Sequence, residues 1–375
     1  MQKTLGTALF ILALGAAQAD VTVGVTLCAT GPGASLGIPE RNAIALLPPT
    51  LGGEKVTYVV LDDGTDPAGA FKNAQKLISE NKVDAIIGSS TFPPSLAAAR
   101  AAAEARTPII ALAPIRPPAE VAPWAFTTPQ NVAIVAAAVA RHMKAAGVKS
   151  LAFIGYNDPS GDDWWNNLSR QAQAAGIAMV ANERYNRTDT SIIGQALKIL
   201  SAAPDAVFIG GSGTPAALPQ TALVERGYRG RFYHTHGSTN KDFIRVGGKS
   251  VEGSILPAPP MLVAEQLAEG HASKRTALEF IRLYEGAHGA GSRNVFAAYA
   301  HDAYLLLQRA VPQALKRARP GTPEFRQALR DALEGVREMP GVSGVFNMSP
   351  ADHNGLDERA VVMVRIEGGD WKLAR

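Results

Sequence analysis

A chain of 375 residues exceeds the usual span of one domain, and its 46% apolar content can fill two cores. With 19% charged residues, 36 Gly and 25 Pro, the composition is that of a globular protein, which excludes a disordered or fibrous chain. The net charge is +4, but the 37 Lys and Arg are scattered without interleaved aromatics, so no nucleic-acid partner is expected.

The chain opens with a short cationic start, Met1-Gln-Lys3, and an apolar run over 5–17 that is too short to span a bilayer comfortably. Ala17-Gln-Ala19 then gives the small-x-small pattern that signal peptidase accepts. This order predicts a signal peptide over 1–19, cleavage after Ala19 and a mature protein in the periplasm. Cys28 is the only cysteine, so no intramolecular disulfide can form. Leu27 stands where a lipidated cysteine needs a small residue before it, and Cys28 reads as a buried thiol at the end of a strand.

From there, β-rich runs at 21–27, 55–62, 83–88, 108–113, 150–156, 178–184, 205–210, 231–235 and 252–257 alternate with amphipathic segments at 67–81, 95–106, 130–147, 162–175, 190–203 and 214–227. Several of these strands are apolar throughout, as expected when helices cover both faces of a parallel sheet, so the fold class is α/β. A proline-rich connection over 114–129 separates two such series, and a second one, Leu256-Pro-Ala-Pro-Pro260, precedes three helical segments near 274–289, 294–318 and 322–335. The tail returns to strands. No flexible Gly/Ser linker occurs, which predicts two lobes with several crossings: 20–119 plus 258–335, and 120–257 plus 336–375.

The first strand is followed by a glycine-rich turn, "TGPGASLG" at 30–37, where dinucleotide-binding folds hold a pyrophosphate. Here the third glycine, Gly37, comes one residue late for G-x-G-x-x-G, and Pro32 removes an N–H from the cradle. No Lys-Ser/Thr follows, so a Walker loop fails as well. A phosphate site and a nucleotide cofactor are therefore not expected. Ligands of open α/β sheets gather beyond the carboxyl ends of the strands. The loops there are small and polar: 30–37, 89–95, 113–116, 157–161, 211–214 and 236–238. Hydroxyls and helix N-terminal amides of this kind suit a small carboxylate. No nucleophile elbow or H-E-x-x-H motif is present and no His or Cys lies at ligand spacing from His236, so neither an enzyme nor a metal site is expected.

The glycine turn, "LDDGTDPAGAFKNAQKLI" at 61–78, "VDAIIGSST" at 83–91, "PIIALAP" at 108–114, "GYNDPSGDDW" at 155–164, "APDAVFIGGSG" at 203–213, "VGGKSVEGSI" at 246–255 and the tail from 349 to 373 together resemble periplasmic solute-binding proteins of the branched-chain amino acid type, the receptor components of ABC importers. The resemblance implies a type I periplasmic binding fold: two doubly wound parallel-sheet lobes joined by three hinge strands, closing on a ligand, monomeric, and docking on an ABC permease of the inner membrane. It places Ser90, Thr91 and Ser95 at the ligand carboxylate, Ile115 and Arg116 where the family has small residues or Thr, and Ser160 where it often has Tyr. Gly211, Ser212, Thr214, His236 and Gly237 complete the expected site, with Leu36 and Trp164 as apolar wall. Arg116 in place of a small residue, and no acid in Thr235–Asn240, point away from a zwitterionic aliphatic amino acid and toward an aromatic or dicarboxylic acid held by Arg116. The alternative for Arg116 is a surface pair with Glu120. Alternatives for the whole chain are an exported sensor feeding a chemoreceptor or kinase and, more remotely, an exported hydrolase.

Overall fold

The computed structural model describes residues 20–374, so the expected signal peptide lies outside the described residues. Six strands form the first sheet: β1 (Val21–Leu27), β2 (Thr50–Leu51), β3 (Glu54–Asp62), β4 (Ala85–Gly88), β5 (Ile109–Ala111) and β6 (Ala125–Thr127), in the order β2-β3-β1-β4-β5-β6. All are parallel except β2, which forms a hairpin with β3 through Gly52 and Gly53, both at positive φ. Helices α1 (Ala34–Ile44), α2 (Pro67–Ser79) and α3 (Phe92–Glu104) are the crossovers. β1 is buried on both faces because Val21, Val23, Val25 and Leu27 point into one core while Gly24 lets α2 lie against the other; a Cβ at Gly24 would stand 2.9 Å from Leu77.

The second sheet follows. α4 (Val132–Ala145), β7 (Ser150–Tyr156), α5 (Pro159–Ala174), β8 (Ala178–Tyr185), α6 (Ile193–Ser201), β9 (Ala206–Gly210), α7 (Ala217–Glu225), β10 (Arg231–His234), α8 (Lys241–Gly247) and β11 (Ile255–Ala258) repeat the strand–helix alternation. The chain then returns to the first sheet as α9 (Lys274–His288), α10 (Val295–Leu315) and α11 (Pro323–Glu334), passes through a ribbon of β12 (Met339–Pro340) and β13 (Val345–Phe346), and ends in β14 (Val362–Glu367) and β15 (Asp370–Leu373). The second sheet has the order β15-β14-β11-β10-β9-β7-β8, with β14 and β15 antiparallel. Two α/β lobes with parallel sheets, as the resemblance implied, are thus present.

Three details differ from the sequence reading. Ala125–Thr127 pairs with β5, so the first sheet runs past the expected division at 119/120; Phe126, fully buried, anchors a strand too short to show a periodic signal. The stretch from 336 is held to α10 before it reaches the second sheet at β14. α1, α8 and the strand β2 were not expected at all.

The chain crosses between the sheets at 128–131, at 258–260 and between α11 and β14. The crossings are bonded to one another. The Asn354 amide donates to the Thr127 and Pro129 carbonyls, and the Gln130 amide donates to the carbonyls of Ser343 and Ala360. On α10, the carboxylate of fully buried Asp302 accepts from the Val342 and Ser343 amides at 2.6 and 2.9 Å.

Burial pushes the Asp302 carboxyl up to about 7, from an ordinary 3.8. With the folded value above the unfolded one, the native state holds the extra proton between those limits, so this group's contribution falls as pH rises from about 4 to 7 and is constant above. Thermal unfolding from pH 4 to 8 should therefore show wild type losing more stability across that window than Asp302→Asn; parallel profiles would refute the linkage.

Candidate functional site

The carboxyl ends of β1, β4 and β5 face those of β7, β9 and β10 across a narrow cleft with an empty volume of ≈ 450 Å³, mouth included. On the first-sheet side, the loop after β4 is fixed by its own hydroxyls. Ser89 donates to Asp63 at 2.6 Å, Ser95 donates to the Ser89 carbonyl at 2.7 Å, and the Ser90 hydroxyl accepts from the Cys28 amide at 2.9 Å. α3 starts here, and its N-cap Thr91 makes no side-chain cap bond. Pro93 and Pro94 carry no N–H, so the positive end of α3 is expressed through the amides of Thr91 and Phe92.

On the second-sheet side, Asp158 caps α5 by accepting from the Ser160 and Gly161 amides at 2.9 and 3.1 Å. Only glycine fits at 161, since a Cβ would lie 1.8 Å from the Tyr156 carbonyl. The other oxygen of Asp158 takes Nε and Nη2 of Arg187 at 3.0 and 2.9 Å. The guanidinium lies 3.8 Å above the Tyr156 ring, and Nη1 reaches the Ser212 hydroxyl at 3.2 Å. Tyr156 in turn donates to the Ser212 carbonyl and accepts its amide, while Thr235 donates to the Gly211 carbonyl and accepts from Gly237. A guanidinium stacked, paired and bonded in this way has little rotamer freedom left to lose. His236 is buried against Trp164, and burial holds its imidazole down at about 4, so it is neutral at pH 7. Its Nδ1 has no hydrogen-bond partner.

Of the residues expected from sequence, Leu36, Ser90, Thr91, Ser160, Gly211, Ser212, His236 and Gly237 line this cleft, as does Trp164. Four lie elsewhere. Ser95 points back to the Ser89 carbonyl, and the Thr214 amide donates to the Ser35 hydroxyl of α1 in the opposite lobe at 3.3 Å. Ile115 and Arg116 face an outer groove, because the chain after β5 turns away through Pro114 and Pro117. Arg116 is 68% exposed and lies 3.7 Å from Asp163 of α5, a contact neither sequence alternative named. Burial raises the Asp163 carboxyl and the charge of Arg116 offsets part of that rise.

The sequence reading missed Arg187, Phe92, Phe296 and Tyr299. Arg187 was findable, since it stands two residues past the carboxyl end of β8; the two aromatics of α10 were not, as nothing local says that a helix so far along the chain returns to the cleft. Among the described residues, Arg187 is the charged side chain on the cleft wall at pH 7, and no acid lines it. No group of His, Cys, Asp and Glu among the described residues could hold a metal ion, and no described helix could cross a membrane.

Two α/β lobes, crossed three times by the chain and meeting at a largely apolar cleft with a few polar groups, have the architecture of a two-lobed binding protein. The profile of the periplasmic binding protein family matches residues 20–370, and the chain belongs to that family. A crystal structure of an extracellular ligand-binding receptor from Rhodopseudomonas palustris HaA2 is 43% identical, covers 95% of this chain and 100% of its own, and superposes with a TM-score of 0.93. The fold is shared with the leucine-binding protein of Thermotoga maritima, at 23% identity, 95% and 98% coverage and a TM-score of 0.80. Among curated relatives, Leu/Ile/Val-binding protein homolog 1 of Brucella suis is 24% identical over 271 residues, 68% of this chain and 72% of its own.

The lobes touch closely at Gly213, whose φ is +65° and whose missing Cβ would stand 2.7 Å from Leu36 and 2.8 Å from the Ser35 hydroxyl. Because the left-handed φ strains any side chain there, Gly213→Ala should lower the thermal midpoint by a few degrees; an unchanged midpoint would show that this tip tolerates a Cβ.

Proposed function

We propose that the protein is the extracytoplasmic binding component of an ABC importer, closing its hinge on a small carboxylate-bearing solute and delivering it to a permease of the inner membrane. The first pass of the chain through the first lobe ends at Thr127, where β6 stops. The observation that carries the ligand class is Arg187. Its Nη1 side, the Ser212 and Ser160 hydroxyls and the amides at the start of α3 supply donors from both lobes, and no acid lines the cleft to repel an anion. Membership of the family supports the binding role, since its fold is that of ligand-binding proteins and not of enzymes.

Within that class the cleft favours an aromatic or other organic acid over a zwitterionic amino acid. Phe92, Trp164, Phe296 and Tyr299 offer flat apolar surface, whereas an α-ammonium would find neutral His236 and no carboxylate on the wall. The names of the Thermotoga and Brucella relatives refer to leucine, isoleucine and valine, so these amino acids belong in the same assay.

Thermal-shift screening with aliphatic amino acids, aromatic acids and dicarboxylates tests the reading, because a ligand of the folded state raises the midpoint. Carboxylates should stabilise and their methyl esters should not; equal shifts from acid and ester would overturn it. For a binding acid, Arg187→Met should weaken affinity by roughly 10- to 100-fold, the value of one lost charge-assisted contact. Arg116→Ala should change it less than about threefold, as for an exposed ion pair. Titration calorimetry decides between the two arginines.

A further inference from the structure

One turn below Leu36 on α1 lies Glu40, on the same helix face, with no exposed surface. Neither carboxyl oxygen has a hydrogen-bond partner. Its neighbours Ser90 and Tyr299 both line the cleft, so the carboxyl stands directly behind that wall. An ionised carboxylate without a partner in such a place is strongly disfavoured.

Burial and the one charge recorded beside it favour the neutral form. From the strand side come Asp63, whose negative charge adds to the cost of ionising Glu40, and the Cys28 thiol, which burial pushes up to about 12. From α10 comes buried Tyr299, which feels the charge of both Glu40 and Asp302. Across the cleft stand Arg187, already paired with Asp158, and neutral His236. Burial is the largest cause of the rise at Glu40, and the Ser90 hydroxyl is the group that opposes it.

We propose that Glu40 is a positioning residue of the anion site: its protonated carboxyl donates to the Ser90 oxygen and so turns the Ser90 hydrogen into the cleft. This rests on the carboxylate reading above. A serine hydroxyl has one hydrogen and two lone pairs. One lone pair of Ser90 is taken by the Cys28 amide, and a proton from Glu40 fills the second, leaving the hydrogen for the ligand anion. The two side chains are neighbours without a formed bond, and the anion that accepts the Ser90 hydrogen closes it. An ionised Glu40 would do the reverse. It would take the Ser90 hydrogen for itself and place a buried negative charge behind the binding wall.

The proton is tested without any ligand. An infrared difference spectrum of wild type minus Glu40→Gln at pH 7 should contain a protonated-carboxyl carbonyl band, and its absence overturns the proposal whether or not a carboxylate binds. Calorimetry with benzoate and with L-leucine as probes then reads the positioning. Glu40→Gln, a neutral donor of similar shape, should stay within about threefold of wild type, while Glu40→Leu and Ser90→Ala should bind roughly tenfold more weakly. A Gln variant as weak as the Leu variant would mean that charge matters, and a Leu variant as tight as wild type would mean that no donor is needed; either sinks the proposal. Failure of both probes to bind wild type counts against the carboxylate reading alone, and the infrared band still decides the state of Glu40.

Discussion

Gln130 stands where the chain first leaves one sheet for the other. Its amide nitrogen reaches the Ser343 and Ala360 carbonyls of the last crossing, and its oxygen accepts from Tyr299 of α10 at 3.0 Å. One buried side chain thus ties two of the three crossings to the helix that forms the cleft wall. Asn354 repeats the device by bonding Thr127 and Pro129. These amides are satisfied inside the protein, so the crossings are bonded into one unit. His353, stacked on Phe126 at 4.0 Å and bonded to Glu334, packs the same region from outside.

The cleft inherits its chemistry from this arrangement. Strand ends of both sheets arrive with helix starts beside them, and their hydroxyls are spent on holding the loops. What remains for a ligand is specific: the amides at the start of α3, the second Nη1 hydrogen of Arg187, and the Ser90, Ser160 and Ser212 hydroxyls. The pairing of each explains why exposed Arg116 and half-buried Arg187 differ so much despite identical side chains. Solvent screens the first, while the second is fixed by Asp158, Tyr156 and Ser212.

Much of the fold was legible in the chain. Apolar runs such as Val21–Leu27, Ser150–Tyr156 and Ala206–Gly210 announced parallel strands, and their carboxyl-end loops gave Ser90, Thr91, Ser160, Gly211, Ser212, His236 and Gly237. Signals that depend on local period or turn chemistry survive folding because they are set by neighbours in sequence. Short elements escaped. Ala125–Thr127 is too brief for a pattern, and α1, with Pro39 inside it, has a weak amphipathic stripe since one end faces the cleft and the other faces α10.

The amino-acid order by itself determined the two α/β series, the family resemblance and the strand-end loops that meet at the cleft. Only the tertiary structure decided which arginine enters that cleft, which aromatics wall it and that an unpartnered carboxyl, Glu40, lies behind Ser90. The physical reason is that burial and pairing are properties of position in space. A guanidinium or a carboxyl carries the same formula in the sequence wherever it stands, and its charge, partners and reach are fixed only when distant strands bring neighbours to it.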